Sequence, residues 1–182
     1  SHAIQTAEIM RQFESVVLAE KPDVVVVVGD VNSTLACALV ACKIAFPGDG
    51  GRPVIAHVEA GLRSFDRAMP EEINRVITDH LSDLLFVTEE SGIRNLQNEG
   101  ISADAIHFVG NTMIDSLLAS QQKGEKSSIL HDLGLNSNTD NTTGVRRYVL
   151  LTLHRPSNVD DRETLLTILE GVQELSCSCP IL

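Results

Sequence analysis

Five consecutive valines, Val24 to Val28, stand between Lys21-Pro22 and Gly29-Asp30. A β-branched run of this length, bounded by Pro and Gly, predicts a short strand covered on both faces, as in a parallel sheet. Upstream, residues 4–19 carry Ile9, Phe13, Val16 and Val17 at helical spacing, and Lys21-Pro22 closes that helix. Downstream, Asn32-Ser33-Thr34 supplies capping side chains for an Ala/Leu-rich helix that runs to about Phe46.

The pattern then repeats. Residues 54–58 form a second strand and residues 70–81 a helix, with Ile73, Val76 and Ile77 turned inward. Strands at 84–88 and 106–109 follow, each trailed by a helix, at 91–98 and 112–121. Strand starts near 24, 54, 84 and 106 have the spacing of βα units, which predicts an α/β domain with a mostly parallel sheet.

From Gln122 to Arg147 the chain turns polar, with Asn136 to Gly144 at the tip, and reads as an interdomain connection or surface insertion. Asn141-Thr142-Thr143 matches a glycosylation acceptor, which reads as a chance match because no secretion signal accompanies it. Residues 148–153 then predict a new buried strand, 163–175 a helix, and Cys179 to Leu182 the start of another strand. The expected organisation is a Rossmann-like domain over 1–121 lacking its first strands, a polar connection over 122–147, and a truncated second domain over 148–182. With no initiator Met and only one βα unit and a stub after 148, the chain reads as an internal segment cut at both ends.

Composition narrows the function classes. The 182 residues are 43% hydrophobic and 21% charged with a formal net charge of -11, an ordinary globular balance that argues against nucleic acid or an anionic membrane surface as the main partner. No apolar run approaches the roughly 20 residues that span a bilayer. Cys37 and Cys42 lie in an apolar helical stretch as small hydrophobes, while Cys177 and Cys179 form a lone C-x-C without a second pair. No metal site is expected, and a reducing cytoplasm is the expected compartment. The chain carries no G-x-x-x-x-G-K-[ST], G-x-G-x-x-G, H-E-x-x-H or G-x-S-x-G motif, which weakens NTPase, dehydrogenase, zincin and α/β-hydrolase readings.

Open parallel sheets bind ligands beyond the carboxyl ends of their strands. Asp30 follows the valine run and is either a helix cap or a rim carboxylate. Glu59 precedes Ala60-Gly61, where backbone can approach a ligand; its plainer reading is a pair with Arg63. His57 falls two residues earlier, on the same strand face by simple alternation, and reads as a structural histidine. Glu71 opens a helix and stands four residues before Arg75, which by physics alone favours a surface ion pair. His154 and Arg155 follow a strand and suit a diphosphate or a developing negative charge, or equally a structural role.

Five segments in order carry a resemblance: Gly29-Asp30-Val31-Asn32-Ser33-Thr34, His57-Val58-Glu59-Ala60-Gly61-Leu62-Arg63-Ser64, Met69-Pro70-Glu71-Glu72-Ile73-Asn74-Arg75, Gly110-Asn111-Thr112, and Leu153-His154-Arg155-Pro156-Ser157-Asn158. The chain resembles the UDP-N-acetylglucosamine 2-epimerase family of the non-hydrolysing type over nearly its whole length. The resemblance implies a glycosyltransferase-B-type fold of two domains, with the nucleotide sugar UDP-N-acetylglucosamine between them. It implies interconversion with UDP-N-acetylmannosamine by elimination and re-addition of UDP, without cofactor, in cell-surface polysaccharide biosynthesis. It also implies a homodimer for the full-length enzyme.

Carried over by position, Asp30, Glu59 and Glu71 become acid/base candidates, and His154 the group near the diphosphate. Arg63, Arg75 and Arg155 become supporting substrate contacts. The family's basic N-terminal segment and its later uracil, ribose and phosphate segments are expected outside residues 1–182, so weak turnover is expected of this chain alone. Alternatives are a hydrolysing relative that releases N-acetylmannosamine and a non-catalytic binding fragment.

Overall fold

The computed structural model describes residues 1–46, 51–135 and 147–182. The polar tip and its glycosylation-type triplet fall outside these residues. The chain divides into two compact units, Ser1–Leu118 and Ala119–Leu182.

In the first unit, α1 (His2–Glu20) leads into β1 (Val24–Val28), followed by α2 (Asn32–Lys43), β2 (Val54–Ala60), α3 (Pro70–Leu81), β3 (Leu84–Val87), α4 (Glu90–Asn98) and β4 (Ile106–Phe108). Lys21 ends α1 in the left-handed conformation at φ 48°, and its N–H returns to the Val17 carbonyl. The four strands are parallel and lie in the order β1-β2-β3-β4. That order has a physical consequence. Right-handed crossovers that always step the same way place every crossover helix on one face of the sheet. The core accordingly forms on one side of β1, where Val25 and Val27 meet Ile55 and the α2 residues Ala38 and Ala41. Val24, Val26 and Val28 stay exposed, at 47%, 59% and 59%. The five-valine strand is therefore covered on one face within this unit, not on two.

A second apolar cluster joins Ala60, Leu85 and Val87 to Leu96 of α4. Gly61, at φ 82°, and Gly92 allow the end of β2 to meet the start of α4. A Cβ on Gly61 would sit 2.6 Å from the Gly92 carbonyl oxygen.

Two local expectations need correction. Val31 is the N-cap of α2, and no side chain caps it. Thr34 instead donates its hydroxyl to the Val28 carbonyl at 2.7 Å, tying the helix to the strand it follows. The inward face of α3 is also reversed. Glu72, Asn74, Thr78 and Asp79 are buried, whereas Ile77 is 38% exposed and Ile73 and Val76 are only partly covered.

α5 (Thr112–Glu125) runs across the boundary between the units. The second unit also holds α6 (Ile129–Asp132), α7 (Pro156–Val159) and α8 (Arg162–Ser176). Asp161 caps α8 by accepting the Thr164 N–H at 2.8 Å. Residues 148–153 do not form the buried strand expected. Tyr148 and Val149 are each 40% exposed, and Val149 makes a single parallel bridge to Ile181. One partner segment satisfies one side of a backbone and builds no sheet face to bury.

Among the described residues, no helix is long and apolar enough to cross a membrane.

Candidate active site

The carboxyl ends of β1 and β2 lie side by side, with Val28 opposite Val58. β1 turns at Gly29, whose φ of 69° favours glycine, and the Gly29 N–H donates to the Val58 carbonyl at 3.0 Å. Asp30 follows on the rim. Its carboxylate accepts a short charge-assisted bond from Arg75 of α3, and its carbonyl accepts the Asn74 amide at 2.9 Å. Asp30 is thus a rim carboxylate bound to a cation and not the helix cap. The Asn74 amide also donates to Asn32 at 3.2 Å, and Asn32 in turn donates to Gln5 of α1 at 2.7 Å.

Glu59 occupies a backbone irregularity. The pairing of β2 with β3 shifts register between Val58 and Ala60, and Glu59 adopts φ 74°. A non-glycine residue in this region carries roughly 1–3 kcal/mol of strain, which persists where surrounding structure enforces it. The shift also breaks the alternation that puts residues 57 and 59 on one face. His57 is fully buried, whereas Glu59 remains partly exposed. One Glu59 carboxylate oxygen lies 3.6 Å from the point where a side chain on Gly29 would begin. The glycine therefore leaves this oxygen room over the turn that leads to Asp30.

Glu71 and Glu72 open α3 and play different parts. Glu71, partly exposed, lines an open cavity of about 210 Å³ with Val31, Asn32 and Ser33 and with His2, Gln5 and Ile9 of α1. The expected Glu71–Arg75 ion pair does not form, because Arg75 is shared between Asp30 and Glu72. Glu72 is buried and accepts the Ser64 N–H, the Ser64 hydroxyl and the Phe65 N–H, each at 2.9 Å. Burial pushes its carboxyl up, but the Ser64 donors, the Phe65 N–H and Arg75 together outweigh it and hold the group below the ordinary carboxylate range.

Beneath the rim lies a buried ionic chain. His57 Nδ1 is 2.6 Å from Asp79 Oδ1, and its Nε2 is 2.8 Å from the Gly29 carbonyl oxygen. The other Asp79 oxygen accepts the Gly61 N–H at 3.1 Å and Arg63 at 2.7 Å. Arg63 also makes a bidentate pair with Glu99, both contacts at 2.7 Å. Its side chain is 1% exposed. Burial alone would lower its basicity, but Glu99 and Asp79 raise it overall. Neither the Glu59–Arg63 pair nor Arg63 as a substrate contact is met: this guanidinium is covered and spent on Asp79, Glu99 and the Leu62 carbonyl.

His154 and Arg155 belong to the second unit. Both are exposed, immediately before α7, and the Arg155 carbonyl accepts the Asn158 N–H at 2.8 Å.

Sequence reasoning missed Glu72, Asn74, Asp79 and Glu99. A signal was available on α3. Glu72, Arg75 and Asp79 fall at i, i+3 and i+7, a polar stripe as regular as the apolar one at 73, 76 and 77. The polar stripe faces inward because the loop after β2 leaves the Gly61, Ser64 and Phe65 N–H groups without strand partners, and buried donors need acceptors. No group of three or more metal-type ligands occurs among the described residues. Chemically, the rim offers two partly exposed carboxylates, Glu59 and Glu71, with no fixed cation of their own among the described residues, beside an Asp30 anchored by Arg75. Such groups can take up and deliver protons around a bound molecule.

Comparison with known proteins supplies the context. The profile of the family described as UDP-N-acetylglucosamine 2-epimerase matches residues 1–181. A curated UDP-N-acetylglucosamine 2-epimerase of Methanocaldococcus jannaschii is 47% identical over 96% of the chain, which covers 44% of that protein. A UDP-2,3-diacetamido-2,3-dideoxy-D-glucuronate 2-epimerase of Pseudomonas aeruginosa is 42% identical over 96% of the chain, covering 45% of its own length. The crystal structure of the M. jannaschii UDP-GlcNAc 2-epimerase with UDP-GlcNAc and UDP superposes with a TM-score of 0.82 at 44% identity, covering all of this chain and 47% of that one. The chain thus spans about half the length of the relatives it matches, and its α/β fold is of their glycosyltransferase-B type.

Proposed function

The chain belongs to the UDP-N-acetylglucosamine 2-epimerase family, and we propose that the protein it represents interconverts UDP-N-acetylglucosamine and UDP-N-acetylmannosamine by eliminating UDP and adding it back. The observation that carries this reading is the convergence of Asp30, Glu59 and the N-terminus of α3 at one sheet edge, with Glu59 held in a strained turn over Gly29. The carbon inverted is not next to a carbonyl, so its proton is removed only as UDP departs. Acid–base groups must then serve both faces of the sugar.

In this reading Glu59 and Glu71 exchange protons with the sugar, and Asp30, fixed by Arg75, orients it or shares that task. His154 and Arg155 meet the diphosphate, whose negative charge grows as the bond to the sugar breaks. Residues 1–121 act as the first, Rossmann-like domain, 122–147 as the connection and 148–182 as the beginning of a nucleotide-binding domain. The protein works as a cytoplasmic homodimer, without nucleic acid. The 182 residues alone bind nucleotide weakly, in keeping with their share of the relatives' length.

The test is incubation of the intact protein with UDP-N-acetylglucosamine in D2O, followed by NMR. Deuterium at C2 in both UDP-linked epimers supports the proposal. Free N-acetylmannosamine marks a hydrolysing enzyme, and nucleotide binding without exchange marks a non-catalytic module. A second reading rests on the similarity to the P. aeruginosa diacetamido-glucuronate epimerase. Turnover of that UDP-linked uronate in preference to UDP-N-acetylglucosamine would establish it.

A further inference from the structure

His57 has only acceptors at its two ring nitrogens: the Asp79 carboxylate at 2.6 Å and the Gly29 carbonyl at 2.8 Å. A neutral imidazole donates at one nitrogen and accepts at the other, so it satisfies only one of these contacts. A backbone carbonyl never donates. The proton that resolves the other contact is therefore on His57 or on Asp79. Asp79 already receives the Arg63 guanidinium and the Gly61 N–H on its other oxygen, and both favour the ionised carboxylate. Charge balance calls for that extra proton on one member of the pair: without it Arg63, Asp79 and Glu99 leave one excess negative charge in a largely covered cluster, and with it the cluster is neutral. The donors on Asp79 then place it on His57.

We propose that His57 is a buried imidazolium donating from both ring nitrogens, and that it is the positioning residue for the rim carboxylates. One N–H grips Asp79, which holds Gly61 just beyond the Glu59 bulge; the other grips Gly29, which carries the turn to Asp30. A single ring thereby fixes the ends of β1 and β2 against each other where Glu59 leans over Gly29. His57 does not touch substrate in this proposal, because it is fully covered. Its effect on turnover rests on the acid–base reading of Glu59 and Asp30 above; its protonation does not.

The experiment has two arms on the intact protein. Side-chain nitrogen NMR at about pH 7.5, where an ordinary histidine carries one ring hydrogen, is assigned by loss of the signals in His57→Gln. The expected result is two His57 N–H protons and two protonated-type nitrogens; a bare Nδ1 or Nε2 overturns the proposal. In kinetics, His57→Gln donates to only one acceptor and should lower kcat roughly 100-fold, as misplaced catalytic groups do, with KM within about threefold. Asp79→Asn, which keeps the shape and removes the anion, should do the same and serves if His57→Gln fails to fold. Folded variants with wild-type kcat overturn the positioning role. A doubly protonated His57 in a protein without epimerase activity leaves the clamp standing and removes the functional reading instead.

Discussion

The Arg75 guanidinium on α3 is paired with the carboxylate of Asp30 at the end of β1, and this contact anchors the helix over the rim of the sheet. Its other terminal nitrogen reaches Glu72 at 3.1 Å. Arg75→Met should therefore uncouple both carboxylates at once. Asp30 is 34% exposed and screened by water, while Glu72 is 5% exposed and is not. A loss of about 2 kcal/mol is expected, below the figure for a fully buried pair. Urea unfolding checks it, and Arg75→Lys should recover only part because one ammonium cannot hold both partners in the same geometry.

Glu59 sets stability against activity. Replacing it with Gly removes the cost of a left-handed glutamate, so stability should stay level or rise by up to about 1 kcal/mol. Turnover should collapse in the same protein. Thermal unfolding and the deuterium-exchange assay, run side by side, read the two effects separately.

Gly61 admits no side chain. Ala at this position would meet Gly92 backbone atoms at 2.6 to 2.9 Å and would also need φ 82°. Gly61→Ala should cost roughly 3 kcal/mol, combining overpacking with backbone strain. Gly100→Ala supplies the control: it shares a positive φ but meets nothing within 4 Å, so it should cost only the strain.

Acid should weaken the fold through Glu72. Its folded-state carboxyl is more acidic than in the unfolded chain. The stabilisation is complete above the ordinary range near 4.3 and is lost as pH falls through the lower folded value. Between about pH 5 and pH 3 the wild type should therefore lose more stability than Glu72→Gln, which has no charge there to lose. Denaturant midpoints measured across that interval decide the matter.

How residues 1–118 divide into helices and strands was legible from residue order alone, whereas the buried strand expected at 148–153 did not form. The valine run, the Pro70 start of α3 and the 3.6-residue spacing in α1 are local signals, because backbone conformation answers to neighbouring side chains. Asp30 and Glu59 could be named as candidates from strand ends, and Glu71 from the ordered motifs. Which face of α3 turns inward was not local. Apolar and polar stripes there are equally regular, and the unpaired N–H groups of the loop after β2 made the polar one the buried side. The same holds for Arg63 and Arg75. Four residues beyond Glu59, Arg63 sinks to Asp79 and Glu99, while Arg75 passes over Glu71 to reach Asp30. Ion-pair partners are set by which carboxylates the folded backbone brings within reach and by how far each is shielded from water. Both are properties of the tertiary structure.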